Sequence, residues 1–270
     1  MKIRIAIRNG AICPLIWIWG NGSGCNPLGA QSQVQVSPAD LLQRAEQGDL
    51  ASMDFLARCY RDGSGFPSDD AKAVEWFRKA ADRGFTPSQA ALGRLMQLGL
   101  GGAKDEIAGL KLIQAAADKK NADALRYLGY AYEDGLGVRW SGVDAQSCFV
   151  MAASIYSCEA ELGNASAQCN LGTMYRDGKG VSKDEEKALI LYQKAASQGD
   201  SDAQLNLGKI FEYGSEVTRN AVLAIKWYRK AAEQGNTDAQ CSLGDMYLNG
   251  GKAVAKDEAE AVKWYRKAAE

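Results

Sequence analysis

No histidine occurs anywhere in the 270 residues. That absence removes the usual general base of Ser and Cys hydrolases and the commonest metal ligand. Neither a GxxxxGKS/T phosphate loop nor a GxGxxG after a strand is present, so nucleotide chemistry of either kind has no sequence support. An excess of one charge is missing too. With 32 Lys and Arg against 33 Asp and Glu, neither nucleic acid nor an anionic membrane is expected as the main partner. The apolar run Ala11 to Trp19 is much too short to span a bilayer. The seven cysteines, at 13, 25, 59, 148, 158, 169 and 241, form no CxxC. Cys148 and Cys158, ten apart on one expected helix, are too distant to bridge, so free thiols are expected.

What the chain has instead is a period, and a fixed period decides the architecture before any single residue does. Leu56, Leu92, Leu128, Leu171, Leu207 and Leu243 are separated by 36, 36, 43, 36 and 36 residues. Gly93, Gly129, Gly172, Gly208 and Gly244 follow five of these anchors and Ala57 follows the first. A small residue there lets a neighbouring helix come close. The unit is clearest over 171–199. A first helix carries Leu171, Gly172 and Tyr175, and a turn carries Gly178, Gly180 and Val181. A second helix carries Ala188, Leu191, Tyr192, Ala195 and Ala196 and stops at Gly199. Positions −4, −3, 0, +1, +3 and +4 from the anchor fall on an arc of roughly 160°, too broad for a helix with one partner. In the second helix the pair Trp76/Phe77 returns as Leu112/Ile113, Leu191/Tyr192, Trp227/Tyr228 and Trp264/Tyr265, with an alanine pair four residues on. Large against small is how stacked helices interdigitate. One helix pair cannot bury such faces, so the repeats stack into a continuous core.

These motifs resemble the Sel1-like repeat, a relative of the tetratricopeptide repeat. The matching stretches are A-Q-x-x-L-G-x-M-Y over Ala167 to Tyr175, D-G-x-G-V over Asp177 to Val181, and K-A-x-x-W-Y-x-K-A-A-x-Q-G over Lys187 to Gly199. The last has Leu for Trp there, and recurs over Leu223 to Gly235 with Leu for Lys. The resemblance covers about 45–270. It implies an all-α, right-handed α/α solenoid of six helix-turn-helix repeats over 49–270. It also implies a non-enzymatic scaffold that holds a protein or peptide segment in its concave groove, with no cofactor, metal or catalytic residue. Members often work in bacterial signalling, envelope assembly or contact with host proteins. Cysteine-rich relatives pair cysteines within each repeat; that pattern and any Ser-x-x-Lys in a suitable context are missing here, so their β-lactamase label is not carried over. A second reading stays open: an envelope hydrolase or glycan-binding accessory protein using groove carboxylates.

Residues 1–30 stand outside the repeat. Lys2, Arg4 and Arg8 precede the apolar run, and Leu28-Gly29-Ala30 ends in small residues, as in a secretory signal peptide. Pro14 and Asn9-Gly10 argue for a disordered leader instead. Cys25 after Gly24 is similar to a lipoprotein cleavage site, but Gly22 stands where a large aliphatic residue is wanted. Location follows the leader: secreted or periplasmic if it is a signal, cytoplasmic otherwise. The sequons at Asn21 and Asn164 matter only in a eukaryotic secretory pathway. Ser37-Pro38-Ala39-Asp40 opens a capping helix over 37–48. The chain stops at Ala268-Ala269-Glu270 without the usual Gln-Gly, which raises either a partner or a truncation there. The 43-residue step places seven extra residues in Ser154 to Leu162. Because seven is close to two turns, the second helix of the third repeat, 143–163, lengthens without rotating its face. It is expected to project, with Ile155, Cys158 and Leu162 along one side, packed on the next repeat or forming a docking ridge. Gly63/Gly65 and Gly178/Gly180 recur with the period and read as turns rather than phosphate loops. Asp69, Asp105 and Asp184 read as N-caps.

The core arc leaves positions −2, +2 and +5 pointing away, which in the related tetratricopeptide repeat line the concave face. They are Arg58, Arg61, Arg94, Arg126, Tyr130 and Glu133, then Arg176, Lys209, Glu212 and Asp245. The N-terminal half is basic and the C-terminal half mixed. Stacking by one period makes Arg58 and Arg94 neighbours, flanked by Arg61 and Arg126. Two readings follow: solvated arginines, or a bidentate clamp for the carboxylates of an acidic partner.

Overall fold

One backbone hydrogen bond, repeated in six places, defines the unit. The computed structural model describes residues 37–214, 219–250 and 255–269, and its described elements are all α-helices. After α1 (Pro38–Glu46) come six hairpins. They are α2 (Leu50–Asp62) with α3 (Asp70–Ala81), α4 (Thr86–Leu98) with α5 (Glu106–Asp118), and α6 (Ala122–Asp134) with α7 (Gly142–Glu161). Then follow α8 (Ala165–Asp177) with α9 (Glu185–Ser197), α10 (Ser201–Tyr213) with α11 (Ala221–Glu233), and α12 (Thr237–Asn249) with α13 (Glu258–Ala269). In every hairpin the residue capping the second helix donates its N–H to the carbonyl four residues past the anchor leucine. Asp69 donates to Tyr60, Asp105 to Met96, Ser141 to Tyr132, Asp184 to Tyr175, Asn220 to Phe211 and Asp257 to Tyr247, all at 2.7–3.1 Å. The same side chains then cap their helices by accepting from the N–H three residues on, which satisfies donors the helix leaves free. Asp69, Asp105 and Asp184 are thus N-caps, as read from sequence. Gly63, Gly99, Gly135 and Gly178 end their helices in the left-handed conformation, where a Cβ is costly.

The glycine that follows five of the six anchors is required by what lies on it. A Cβ on Gly129 would stand 2.6 Å from the Phe149 ring, one on Gly172 3.0 Å from Tyr192, one on Gly208 2.4 Å from Tyr228 and one on Gly244 2.7 Å from Tyr265. In the second hairpin the helices meet backbone to backbone: a Cβ on Gly93 would reach the Gly109 carbonyl at 2.6 Å, and one on Gly109 the Gly93 carbonyl at 2.5 Å. Between hairpins, a glutamine three residues before the anchor does the joining. Gln168, Gln204 and Gln240 donate to the carbonyls of Ala160, Ala196 and Ala232 on the preceding second helices. These glutamines are buried, so an unpaired amide there would be expensive. Leu41 and Ala45 of α1 are buried with Met53, Leu56 and Ala80, which closes the first hairpin's apolar face.

The long helix departs from its expected form. α7 runs 20 residues, yet it does not stand clear of its neighbours. Tyr156, in the inserted turns, is 2 % exposed, and Ile155 packs on the core cluster that includes Leu171 and Met174. Leu162 is 84 % exposed at the helix end, where the chain turns into Asn164 and α8, rather than buried against the next repeat. Cys59, Cys148, Cys169 and Cys241 are free thiols. The signal-peptide reading of 1–30, with Cys13, Cys25 and Asn21, and the end at Glu270 lie outside the described residues.

Candidate functional site

The first helices of successive repeats share one polar face. Ser88 of α4 donates to Asp54 of α2 at 2.7 Å, Asn170 of α8 to Asp123 of α6 at 3.4 Å, and Arg176 of α8 to Asn206 of α10 at 3.1 Å. Curvature brings distant repeats together on this side. Arg61 of α2 and Asp202 of α10, four repeats apart, lie within electrostatic reach. A Cβ on Gly235, between α11 and α12, would come within 2.5 Å of the Gly63 carbonyl. The face therefore looks inward.

All ten sequence-derived positions belong to these helices, but they do not form one basic patch. Arg58 donates to Asp54 at 2.8 Å and Arg61 makes two bonds to Asp62, at 2.6 and 2.9 Å. Arg126 donates to Asp123 at 3.1 Å and to the Tyr156 hydroxyl at 3.3 Å. That hydroxyl in turn donates to Asp123. Although burial opposes a charge on Arg126, Tyr156, Tyr127 and Asp123 more than offset it, so its guanidinium is held firmly protonated. Burial likewise works against the Asp123 carboxylate, yet Arg126, the Tyr156 hydroxyl and Arg58 hold it below its ordinary range. Arg94 senses Arg126, and Arg58 senses Arg61 and Asp123; Arg58, Arg61 and Arg126 each bond a carboxylate of their own helix, and Arg94 bonds none among the described residues.

The remaining positions divide by role. Tyr130 lies edge-on to Phe149 at 5.2 Å and Glu133 accepts from Lys179 in the turn of the next repeat. Glu212 and Asp245 accept from the hydroxyls of Tyr228 and Tyr265 on their own second helices, the first at 2.6 Å, so both serve the hairpin. Arg176 forks onto Asp177. With Lys209 it borders a cavity of 450 Å³ whose apolar wall includes Leu189, Ile210 and Tyr213.

Asp54 stands at −2 from Leu56, inside the series, but was not taken with its arginines; Asp123, Asp202 and Tyr156 lie outside the series. Carrying the −2, +2, +5 series one turn further, to −5, reaches Asp123 and Asp202. Tyr156 lies in the insertion, where the period supplies no equivalent. Among the described residues no helix is long and apolar enough to cross a membrane.

The comparisons agree with this construction. The Sel1 repeat matches at 50–85, 86–121, 122–154, 165–200, 201–236 and 237–270, leaving out 155–164, the lengthened part of the third repeat. A Neisseria meningitidis protein of uncharacterized function is 31% identical over 128 residues, 47% of this chain and 25% of that one. DAP3-binding cell death enhancer 1 of Rattus norvegicus is 33% identical over 113 residues, 42% of this chain and 20% of that protein. The chain thus spans a quarter or less of the length of these curated relatives. The crystal structure of a Sel1 repeat protein from Oxalobacter formigenes aligns over 86% of this chain and 87% of its own, with 28% identity and TM-score 0.51. The immunity protein Pa5087 of Pseudomonas aeruginosa shares the fold, at 23% identity and TM-score 0.51 over 82% of this chain and 81% of that one. A small rotation per repeat accumulates along a stack, so solenoids with the same unit diverge in global superposition. The chain belongs to the Sel1 repeat family, whose repeats generally serve as protein–protein interaction scaffolds.

Proposed function

We propose that this chain is a non-enzymatic scaffold that holds an extended protein segment against the inner face of its first helices. The observation that carries the reading is the stacking of hydrogen-bonding side chains from successive repeats on that single face, from Asp54 and Ser88 through Asp123 and Asn170 to Arg176 and Asn206. A segment laid along such a face meets the same spacing at each repeat, which suits an extended chain better than a compact ligand. The rat relative is itself named for binding another protein. The test is a random peptide-display selection against the full chain, followed by Lys209→Trp on the inner face and Ile190→Trp on an outer one. The first change is expected to abolish capture and the second to leave it. Equal capture by both variants would overturn the reading.

The hydrolase alternative has one observation in its favour. Desolvation, with Asp62, Asp200 and Asp238 nearby, pushes the Asp202 carboxyl up to about 6 although the residue keeps an exposed edge, and a raised carboxyl among other acids is what acid–base chemistry employs. Hydrolysis of a glycan or peptide library that disappears in Asp202→Asn would favour this alternative over the scaffold.

A further inference from the structure

One arginine of the inner face has no anion of its own, and we propose that Arg94 is where a carboxylate of the partner segment docks. The inference rests on the groove reading above. Arg58, Arg61, Arg126 and Arg176 each lie on a carboxylate within 3.1 Å. Arg94 makes no hydrogen bond and no ion pair with any described residue, and its Nη1 is buried without a partner. Burying part of a guanidinium without compensation costs free energy. Two aromatic rings at the far limit of cation–π distance offset that cost only in part, and an apolar side chain of similar length would pack there without it. Burial accordingly lowers the proton affinity of Arg94, and Asp134 opposes this only through space, with no hydrogen bond to it.

The surroundings fix the orientation of the group. The guanidinium carbon of Arg94 is 6.0 Å from the centre of the Tyr127 ring and 5.7 Å from that of Tyr130. Arg126 stands over the same Tyr127 ring at 4.7 Å, and Tyr130 is braced by Phe149. The two rings hold the guanidinium while Nη1 stays sealed from solvent, so the donors left for a planar acceptor are Nη2 and Nε. Charge then selects the ligand. Arg58 is matched by Asp54 and Arg126 by Asp123, and Asp134 acts on Arg94 only through space, so Arg94 is the guanidinium here whose positive charge has no bonded anion. A carboxylate neutralises it. A doubly charged phosphate would leave a negative charge in a partly desolvated place, close to Asp123 and Asp134. The carboxylate can come from an acidic side chain or from a chain terminus.

Three peptides carrying an uncharged BODIPY label separate these sources by anisotropy on the full chain: hexaglutamate with an amidated end, hexaglutamine with a free C-terminal carboxylate, and hexaglutamine amide, each labelled through an acylated N-terminus. At least one of the first two is expected to bind, and the fully neutral peptide to bind at least about tenfold more weakly. The bound source is the peptide that responds to Arg94. Arg94→Met is expected to weaken it by about tenfold or more, with Arg94→Lys intermediate because it keeps charge but loses the planar fork. Arg78→Met, on an exposed position of α3, is expected to leave binding unchanged. The melting temperature of Arg94→Met is expected to equal or exceed that of the parent. A clear fall in melting temperature would assign Arg94 a structural role and overturn the proposal. Equal affinity of Arg94→Met and parent would overturn it as well, as would binding of none of the three peptides. A nitroxide on the bound peptide separates this failure from that of the groove reading. Broadening on the first helices with no effect of Arg94→Met removes only the Arg94 assignment, whereas broadening on the second helices removes both.

Discussion

The carbonyl of Gly63, at the end of the first repeat's leading helix, faces Gly235, which follows the second helix of the fifth, so closely that a Cβ on Gly235 would lie 2.5 Å from it. Thr237 approaches from the same side: a Cβ on Gly63 would be 3.4 Å from its Oγ1. The stack therefore curls until repeats four apart touch, and the inner face is bounded by that contact. Both glycines hold left-handed backbone, with φ of +74° and +93°.

Gly235→Ala tests the contact, and Gly84→Ala supplies its control. Gly84 has the equivalent place after α3 and the same left-handed backbone, but a Cβ there meets nothing within 4 Å. Each substitution is expected to cost about 1–2 kcal/mol through backbone strain. Only Gly235→Ala is expected to enlarge the radius of gyration in small-angle scattering. Equal radii for the two variants would mean that the first and fifth repeats do not touch in solution.

A second substitution sets propensity against packing. Alanine is favoured over glycine in a helix by about 1 kcal/mol, but at Gly208 its Cβ would stand 2.4 Å from the Tyr228 ring. Overpacking a core costs about 1–3 kcal/mol, so Gly208→Ala is expected to lower the denaturation midpoint. Adding Tyr228→Leu, which clears the ring, is expected to make the alanine less harmful than it is alone. A stabilised single variant would refute the packing role given to this glycine.

The inserted turns of α7 carry a third expectation. Tyr156 is buried and its hydroxyl joins Asp123 and Arg126. Tyr156→Phe keeps the ring and removes the bridge, leaving buried charged groups less satisfied, at a cost of about 1–3 kcal/mol. Urea denaturation measures it. A change below a few tenths of a kcal/mol would mean that the insertion contributes only its ring.

Much of this architecture was legible in advance, and the reason is repetition. Leu171, Gly172 and Tyr192 each recur, so a pattern weak in one copy becomes firm across several. The caps at Asp69, Asp105 and Asp184 followed from the same logic. The inner face was legible as a set of positions but not as chemistry. Spacing places Arg58, Arg61 and Arg126 on it, yet cannot show that Asp54, Asp62 and Asp123 occupy them. Pairing of this kind depends on side-chain direction and on contacts between repeats. Tyr156 and the Gly63–Gly235 approach were invisible for another reason: the first lies where the period breaks, and the second depends on curvature summed over four repeats.

The Asp202 carboxyl provides a test by pH. Its native value is raised from an ordinary 3.8 to about 6, first by burial and then by Asp62, Asp200 and Asp238, with Arg61 opposing; its Oδ1 also accepts from Asn236. Between these values the folded chain holds a proton that the unfolded chain has lost, so this group's stabilisation is fully present below about pH 4 and fades as pH rises to about 6. Its side chain keeps contact with water, which reduces the effect. Stability of the parent relative to Asp202→Asn is expected to fall across that window. A difference that is flat or rises with pH would contradict the assignment.

The central claim is that the inner face of the first helices is the binding surface. Its most direct measurement is paramagnetic broadening by a spin-labelled peptide taken from the display selection against the full chain. The expected result is loss of amide signal around Arg58, Arg94, Tyr130, Thr173 and Lys209, with the exposed residues of α3, α5, α9 and α11 unaffected. Broadening confined to those second helices, with the first helices untouched, would contradict it.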